Sequence, residues 1–272
     1  MTVSPLMRRV LAATTALVMA FIYIPLLVVV VNSFNASKVF SWPPTSFTTD
    51  WWQRAIANEG VRAALVTSLK AATAATALAL VLGTLLALAI SRYDFFGKSV
   101  INLFVVLPIA LPGIVTGMAL NSAFTTTLKP LGLNFGLFTV IVGHTTFCIV
   151  VVFNNVLARL QRVGTSLQEA SADLGAPPWV TARLVTFPML RSALVAGAVL
   201  SFGLSFDEIV VTTFTSGPGL QTLPQWVFNN LFRPNQGPIV NAVAAGLLLL
   251  SVLPIWFASR LSADPASGAG RL

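Results

Sequence analysis

Apolar residues in this chain come in long unbroken stretches rather than in alternation or as one stripe of a helix. Six such stretches run at about residues 10–31, 65–90, 100–120, 137–157, 192–213 and 239–258. Each is near the ~20 residues that an α-helix needs to cross the hydrocarbon core of a bilayer. Continuous runs predict helices, which satisfy their own backbone groups in lipid, whereas a barrel would show short alternating segments. The pattern predicts an all-α, integral membrane domain of six transmembrane helices over residues 1–260, with a flexible cytoplasmic tail at 261–272. The first run follows Arg8 and Arg9, as a secretory signal would. It is too long for a signal's apolar region and no small-residue cleavage site follows it cleanly, so it reads as the first span.

Two runs are interrupted. Pro108 and Pro112-Gly113 fall inside the third; they fit either a packing kink or an irregular segment lining a pathway. Asp207 and Glu208 fall inside the fifth. The segments between runs differ in kind. The first outer loop, 32–61, carries Trp42-Pro43-Pro44 and Trp51-Trp52, an extended turn followed by an aromatic anchor at headgroup depth. The loop 91–98 is short, polar and basic. The outer segment 215–238 holds Trp226, Phe228, Asn229 and Asn230, which suit a gate, a docking surface or an interfacial helix equally.

Composition makes the membrane reading firm. Of 272 residues, 56% are hydrophobic and 9% charged, with a mean hydropathy of +0.85; a soluble domain would be about a quarter charged. The net charge of +8 reports topology rather than nucleic-acid binding. Placing the N-terminus inside puts Arg8, Arg9, Arg92, Lys98, Arg159, Arg162, Arg183, Arg191, Arg260 and Arg271 on the cytoplasmic side, against Lys38, Arg54, Arg62, Lys129 and Arg233 outside. Ten against five fits the positive-inside rule with both termini cytoplasmic. The single cysteine, Cys148, excludes an intrachain disulfide and a Cys-based zinc site. His144, the only histidine, lies one turn before it. The pair has the spacing of two metal ligands, but no further ligand is near in sequence, so it reads as a hydrogen-bonded His and a small apolar Cys at a helix contact.

The inner loop 158–190 is large enough to hold secondary structure. Thr165-Ser166 suits the start of a short helix through Ala172, with Glu169 in its first turn where a carboxylate complements the dipole. Gly175 suits the left-handed position that ends it. Pro177-Pro178 opens a second segment bearing Trp179, Arg183 and Phe187, closed by Pro188.

That loop resembles the E-A-A-x3-G-x9-I-x-L-P motif of importer permeases of the ATP-binding-cassette family. Here it reads Glu169-Ala170-Ser171, Gly175, and, nine residues on, Val185-Thr186-Phe187-Pro188, with Ser171, Val185 and Phe187 departing conservatively. The resemblance implies a type I importer permease whose coupling helix, carried by Glu169, Ala170, Ser171, Gly175 and Pro188, docks on a separate ATPase. Against it stands an ordinary helical hairpin. No ATPase is apparent in the chain: Gly97-Lys98-Ser99 is a fragment of a phosphate-binding loop, but Arg92 stands where its first glycine should be. ATP and Mg are therefore expected on the partner, with no cofactor bound here.

Within the family the chain resembles the spermidine/putrescine-type permeases. Ser41-Trp42-Pro43-Pro44, Leu107-Pro108, Leu111-Pro112-Gly113-Ile114-Val115, Ser205-Phe206-Asp207-Glu208 and Thr215-Ser216-Gly217 carry this. The resemblance implies a bacterial inner-membrane protein that pairs with a homologous second permease, two ATPases and an extracytoplasmic substrate-binding protein. Relatives of this type also carry other small solutes.

Asp207-Glu208 is the only acidic pair inside an expected span. Sixteen residues from Arg191 at ~1.5 Å each place Asp207 about 24 Å along a core ~30 Å thick, in its outer half. An intramembrane carboxylate costs ~2.5–3.5 kcal/mol at the centre and less toward the interface. Compensation comes from water, a basic residue such as Arg233 or Arg62, or a cationic solute. On a helix the two acids point about 100° apart. Ser201, Ser205, Thr212 and Thr215 share the face of Glu208, so periodicity favours Glu208 as pathway-facing, with Ser205 and Thr212 beside it, whereas the family pattern makes Asp207 the acid. Both are kept as candidates. The competing class is an ion-coupled secondary transporter; a membrane-embedded assembly protein is the third.

Overall fold

The computed structural model describes residues 4–38 and 42–262, with side chains as far as residue 251. Ser41 of the first outer loop and the tail beyond 262 lie outside the described residues. The chain is helical, and among the described residues the only strand-like pairing is an isolated bridge between Asn35 and Phe47. The helices are α1 (Pro5–Asn32), α2 (Asp50–Ala57), α3 (Glu59–Arg92), α4 (Lys98–Ala110), α5 (Gly113–Thr127), α6 (Leu137–Val163), α7 (Ser166–Asp173), α8 (Pro178–Thr181), α9 (Phe187–Phe206), α10 (Val210–Thr215), α11 (Leu223–Leu231) and α12 (Gly237–Ser262).

Among the described residues, four helices are long and apolar enough to cross a membrane: Pro5–Asn32, Glu59–Arg92, Leu137–Val163 and Pro178–Phe206. The pair α4 and α5 makes a fifth if its two halves form one broken span. These two are bent by 109°, so the interruption expected within the run 100–120 divides it into two helices. The cause is local. Pro112 forces Leu111 into an extended conformation (φ −82°, ψ 143°), and its missing N–H ends the α4 ladder before α5 starts at Gly113.

A correction concerns Pro188. It does not close the inner loop, because Pro178–Phe206 is one 29-residue helix. A π-helical segment, Ala182–Thr186, precedes Phe187. Its extra residue per turn moves the upstream carbonyls away from the Pro188 ring, which would clash with them in a regular α-helix. Likewise α6 continues past 157 to Val163, so Arg159 and Arg162 stand on a helix rather than in the loop.

The molecule divides into two compact units. One comprises residues 1–62 and 226–252. In it the backbone after α1 turns back on itself, with Ala36 N–H donating to the Ser46 carbonyl (3.0 Å) and Thr48 N–H to that of Phe34 (2.7 Å). Trp51 is buried and its indole N–H donates to the Asn35 carbonyl (2.9 Å), while Trp52 stacks on Phe34 at 5.4 Å. The Trp51 ring therefore belongs to the core of this loop, correcting its reading as a headgroup anchor.

The other unit, residues 63–225 with 253–272, is organised around α6, the most buried of the four spanning helices. The facing side of α3 is a stripe of small residues, Ala72, Ala75, Ala79, Gly83 and Ala87, with the alanines fully buried. Close approach of backbones is how helices associate in lipid, where apolar area alone gives no driving force. A Cβ on Gly83 would stand 2.9 Å from the Ile149 carbonyl oxygen of α6. Gly197 of α9 likewise lets the Val152 backbone approach to 3.4 Å of its missing Cβ.

Candidate functional site

The fifth span does not run unbroken through its acidic pair. Helix α9 ends at Phe206, Asp207 caps it with its N–H on the Gly203 carbonyl (3.1 Å), and α10 begins at Val210. The two carboxylates thus sit at a helix break, and the 100° separation expected for a regular helix does not apply. Asp207 is exposed and Glu208 half-buried. One Glu208 oxygen accepts the Val211 N–H (2.8 Å), tying the carboxylate to the first turn of α10. Among the described residues the one ion pair is Lys98 with Asp94, so neither acid has a basic partner within its unit.

Helix α5 lies along α10. Asn121 donates to the Phe214 carbonyl (2.6 Å), and a Cβ on Gly117 would stand 2.6 Å from the Phe214 ring. Gly113, the first residue after the α4–α5 break, sits against Val210, the first residue of α10, at 3.6 Å from its missing Cβ to the valine Cβ. The broken ends of two interrupted helices therefore adjoin. Interrupted backbone at membrane depth is tolerated where it is covered by protein or faces a water-filled cavity.

Ser205 and Thr212, expected beside Glu208 on the pathway, are instead buried against α6. His144 reaches both, with Nδ1 2.7 Å from Ser205 Oγ and Nε2 2.8 Å from Thr212 Oγ1. Ser201 donates to the Cys148 carbonyl (3.3 Å), and Thr139 to that of Thr215 (2.7 Å). The polar stripe on the fifth span is thus a seam between helices. A buried hydroxyl needs a partner: α6 supplies one for Ser201, Ser205 and Thr212, while the Thr215 hydroxyl donates to the Val211 carbonyl of its own helix (2.8 Å). Sequence reasoning placed His144 at a helix contact but did not connect it to this stripe. The available signal was the seven-residue spacing of Ser205 and Thr212, two turns apart on one face.

The inner loop forms a second candidate surface. Glu169 lies in the first turn of α7, and Gly175 ends that helix with φ +75°. Glu169, Ala170, Gly175 and Pro188 are exposed, as are Leu167, Leu174 and Trp179. Ser171 is half-buried, its hydroxyl bonded to that of Thr181 (2.9 Å). The loop is anchored through Thr186, whose hydroxyl accepts Arg92 Nη2 from the end of α3 (3.1 Å) and Gln168 Nε2 from α7 (3.4 Å). Arg159 of α6 donates to the Met189 carbonyl (3.0 Å).

Residues 79–264, which include both surfaces, match the sequence model of the binding-protein-dependent transport system inner membrane components. The chain belongs to this family of ABC importer permeases. It is 33% identical to the spermidine/putrescine transport system permease protein PotC of Shigella flexneri over 252 residues, covering 92% of this chain and 93% of that protein. It is also 33% identical to the putrescine transport system permease protein PotI of Escherichia coli K12 over 232 residues, 84% of this chain and 82% of that one. The permease fold is shared with a chain of a bacterial ABC transporter that imports the acidic polysaccharide alginate. The TM-score is 0.72 at 15% identity, covering 94% of each chain.

Proposed function

We propose that this permease carries a polyamine, spermidine or putrescine, and that Asp207 and Glu208 meet its ammonium groups on the pathway. The observation that carries the substrate reading is an acidic pair with no basic partner among the described residues of its own unit, at the junction of two broken helices. Two carboxylates held at membrane depth need a countercharge, and a diamine supplies separated cations. Identity of one third over most of the chain to permeases named for spermidine and putrescine supports the same reading.

The permease has six spans: α1, α3, the α4–α5 pair, α6, the helix Pro178–Phe206, and α12. It sits in the bacterial inner membrane with both termini cytoplasmic. It pairs with a homologous permease, each forming half of the pathway, and an extracytoplasmic binding protein delivers the solute. Two ATPase subunits holding ATP and Mg dock on the loop 158–190, where the exposed face of α7 bears Glu169 and Ala170, with Ser171 beside them and Gly175 beyond. Movement of that loop alternates access between the two sides.

Uptake of labelled putrescine in cells lacking other polyamine importers tests the reading. Losing a charge-assisted contact of about 1.5–3 kcal/mol predicts that Asp207→Asn and Glu208→Gln each raise KM by about ten- to a hundredfold. Wild-type uptake by the double variant overturns the acidic-pair reading. Uptake that survives ATP depletion and collapses with the ion gradient overturns the ATP-driven one.

A further inference from the structure

We infer that His144 is a positioning residue for the acidic pair: it clamps the two halves of the broken fifth span together and so fixes where Glu208 stands. The inference rests on the reading of Glu208 as a cation partner, and deepens it.

The break leaves α9 and α10 joined only by the backbone of residues 207–209. Asp207 N–H still bonds back to Gly203, and Thr213 N–H is the next to bond back, to Ile209. His144 bridges the gap. Ser205 is the penultimate residue of α9 and Thr212 the third of α10, and one imidazole bonds both hydroxyls. A ring with a nitrogen on each of two edges lets one residue of α6 reach both sides of the break. The three side chains are almost completely buried, at 0% exposure for His144, 2% for Ser205 and 0% for Thr212, so they have no water to fall back on.

The direction of the chain follows from counting protons. The Thr212 hydroxyl donates to the Glu208 carbonyl (2.8 Å). A hydroxyl has one proton, so toward His144 the Thr212 oxygen accepts. Nε2 therefore carries the ring proton, and Nδ1 is bare and accepts from Ser205. The sequence of bonds is Ser205 O–H to Nδ1, Nε2–H to Thr212 Oγ1, Thr212 O–H to the Glu208 carbonyl. Each donor meets one acceptor. The backbone of Glu208 is thus tied through Thr212 to α6, and its carboxylate is tied through Val211 N–H to the same turn of α10. The Phe147 ring packs against His144 at 5.5 Å, so the imidazole is held from the side as well. Removing the imidazole leaves α10 tied to α6 at its far end, by Thr139 on the Thr215 carbonyl, but takes away the side chain that bonds both halves next to Glu208.

The test is a double-mutant cycle in the assembled importer, reading KM and maximal rate of putrescine uptake at matched membrane levels. His144→Leu removes both bonds; it is expected to raise KM about tenfold while maximal rate stays within about twofold, because only the placement of Glu208 changes. His144→Gln retains one donor and one acceptor and is expected to recover most of the loss, as is Thr212→Ser where Thr212→Val shows it. In a Glu208→Gln background His144→Leu is expected to add nothing further. Should His144→Leu fail to accumulate, Thr212→Val, which keeps the side-chain shape, carries the same cycle. Additive effects of the two substitutions, or a fall in maximal rate at unchanged KM, overturn this inference while leaving the acidic-pair reading intact. Glu208→Gln with wild-type kinetics overturns both.

Discussion

Several single residues in this permease are fixed by what a side chain would strike. A Cβ on Gly217, just after α10, would overlap the carbonyl oxygen of Phe135. Backbone cannot rotate aside as a long side chain can, so relief requires moving the loop before α6. Gly203, on α9, has nothing within 4 Å of the same added carbon. The two glycines therefore predict opposite outcomes. Overpacking of this kind costs about 1–3 kcal/mol, so Gly217→Ala is expected to lower the melting temperature of the detergent-solubilised complex by several degrees. Gly203→Ala is expected to leave it unchanged or raise it slightly, since Ala favours a helix interior over Gly by about 0.5–1 kcal/mol. Equal effects at both positions would refute the steric account. The importance of Gly217 was visible in the sequence only as part of the Thr215-Ser216-Gly217 resemblance. Its cause was not, because the obstructing carbonyl lies some eighty residues away. The same holds at Thr212. Helical periodicity found its stripe, but only the fold shows that the stripe faces His144 rather than a pathway.

At the scale of elements, the inner loop is legible in the sequence where local chemistry dictates backbone. Gly175 takes the left-handed conformation that ends α7, and the two prolines at 177 and 178 start the next helix as expected. The sequence carries no local signal where the backbone departs from a regular helix without a Gly or Pro at the site of departure. The π segment upstream of Pro188 lets a helix continue where proline ordinarily stops one. The break at residues 207–209 is held by Glu208, whose carboxylate accepts the Val211 N–H and whose carbonyl accepts the Thr212 hydroxyl, with His144 of α6 bonded to Thr212 in turn. Proline did announce the other break, at Pro112, though not its angle. The anchoring of the loop makes a prediction of its own. Arg92, Gln168 and Thr186 tie α7 to the end of α3, and a hydrogen bond from a charged donor contributes about 1.5–3 kcal/mol. Thr186→Val is expected to leave the ATPase subunits bound but to uncouple them, so that ATP hydrolysis continues while uptake falls severalfold. Leu174→Asp acts differently. Leu174 is 88% exposed in the chain, so a charge there does not disturb folding. It is expected to cut recovery of ATPase with the affinity-purified permease at least tenfold, at unchanged permease yield. Full recovery with Leu174→Asp would remove the loop from the interface.

For the whole molecule, orientation in the membrane decides whether the two surfaces can do their separate jobs. The loop 158–190 must face the ATP side, and the acidic pair must lie toward the side from which solute arrives. The proposed orientation places ten basic residues on the cytoplasmic side against five outside, and each Lys or Arg near a span biases insertion that way. The fold offers a direct check, because its one native cysteine is silent. Cys148 is fully buried with its thiol against the Ser201 carbonyl (3.4 Å), so a membrane-impermeant maleimide finds no native target in the folded chain. Phe96, between α3 and α4, and Lys129, after α5, are both exposed and lie at opposite ends of the α4–α5 pair. A Phe96→Cys chain is expected to resist the reagent in intact cells whose outer membrane has been opened, and to react once the inner membrane is permeabilised. A Lys129→Cys chain is expected to react in both. The reverse pattern would put the loop 158–190 outside, where no ATP is available, and would overturn the coupling assignment together with the orientation. Labelling of both from outside would show that α4 and α5 enter and leave on the same side. The 109° bend would then mark a re-entrant hairpin rather than a broken span, and the six-span count would fall with it.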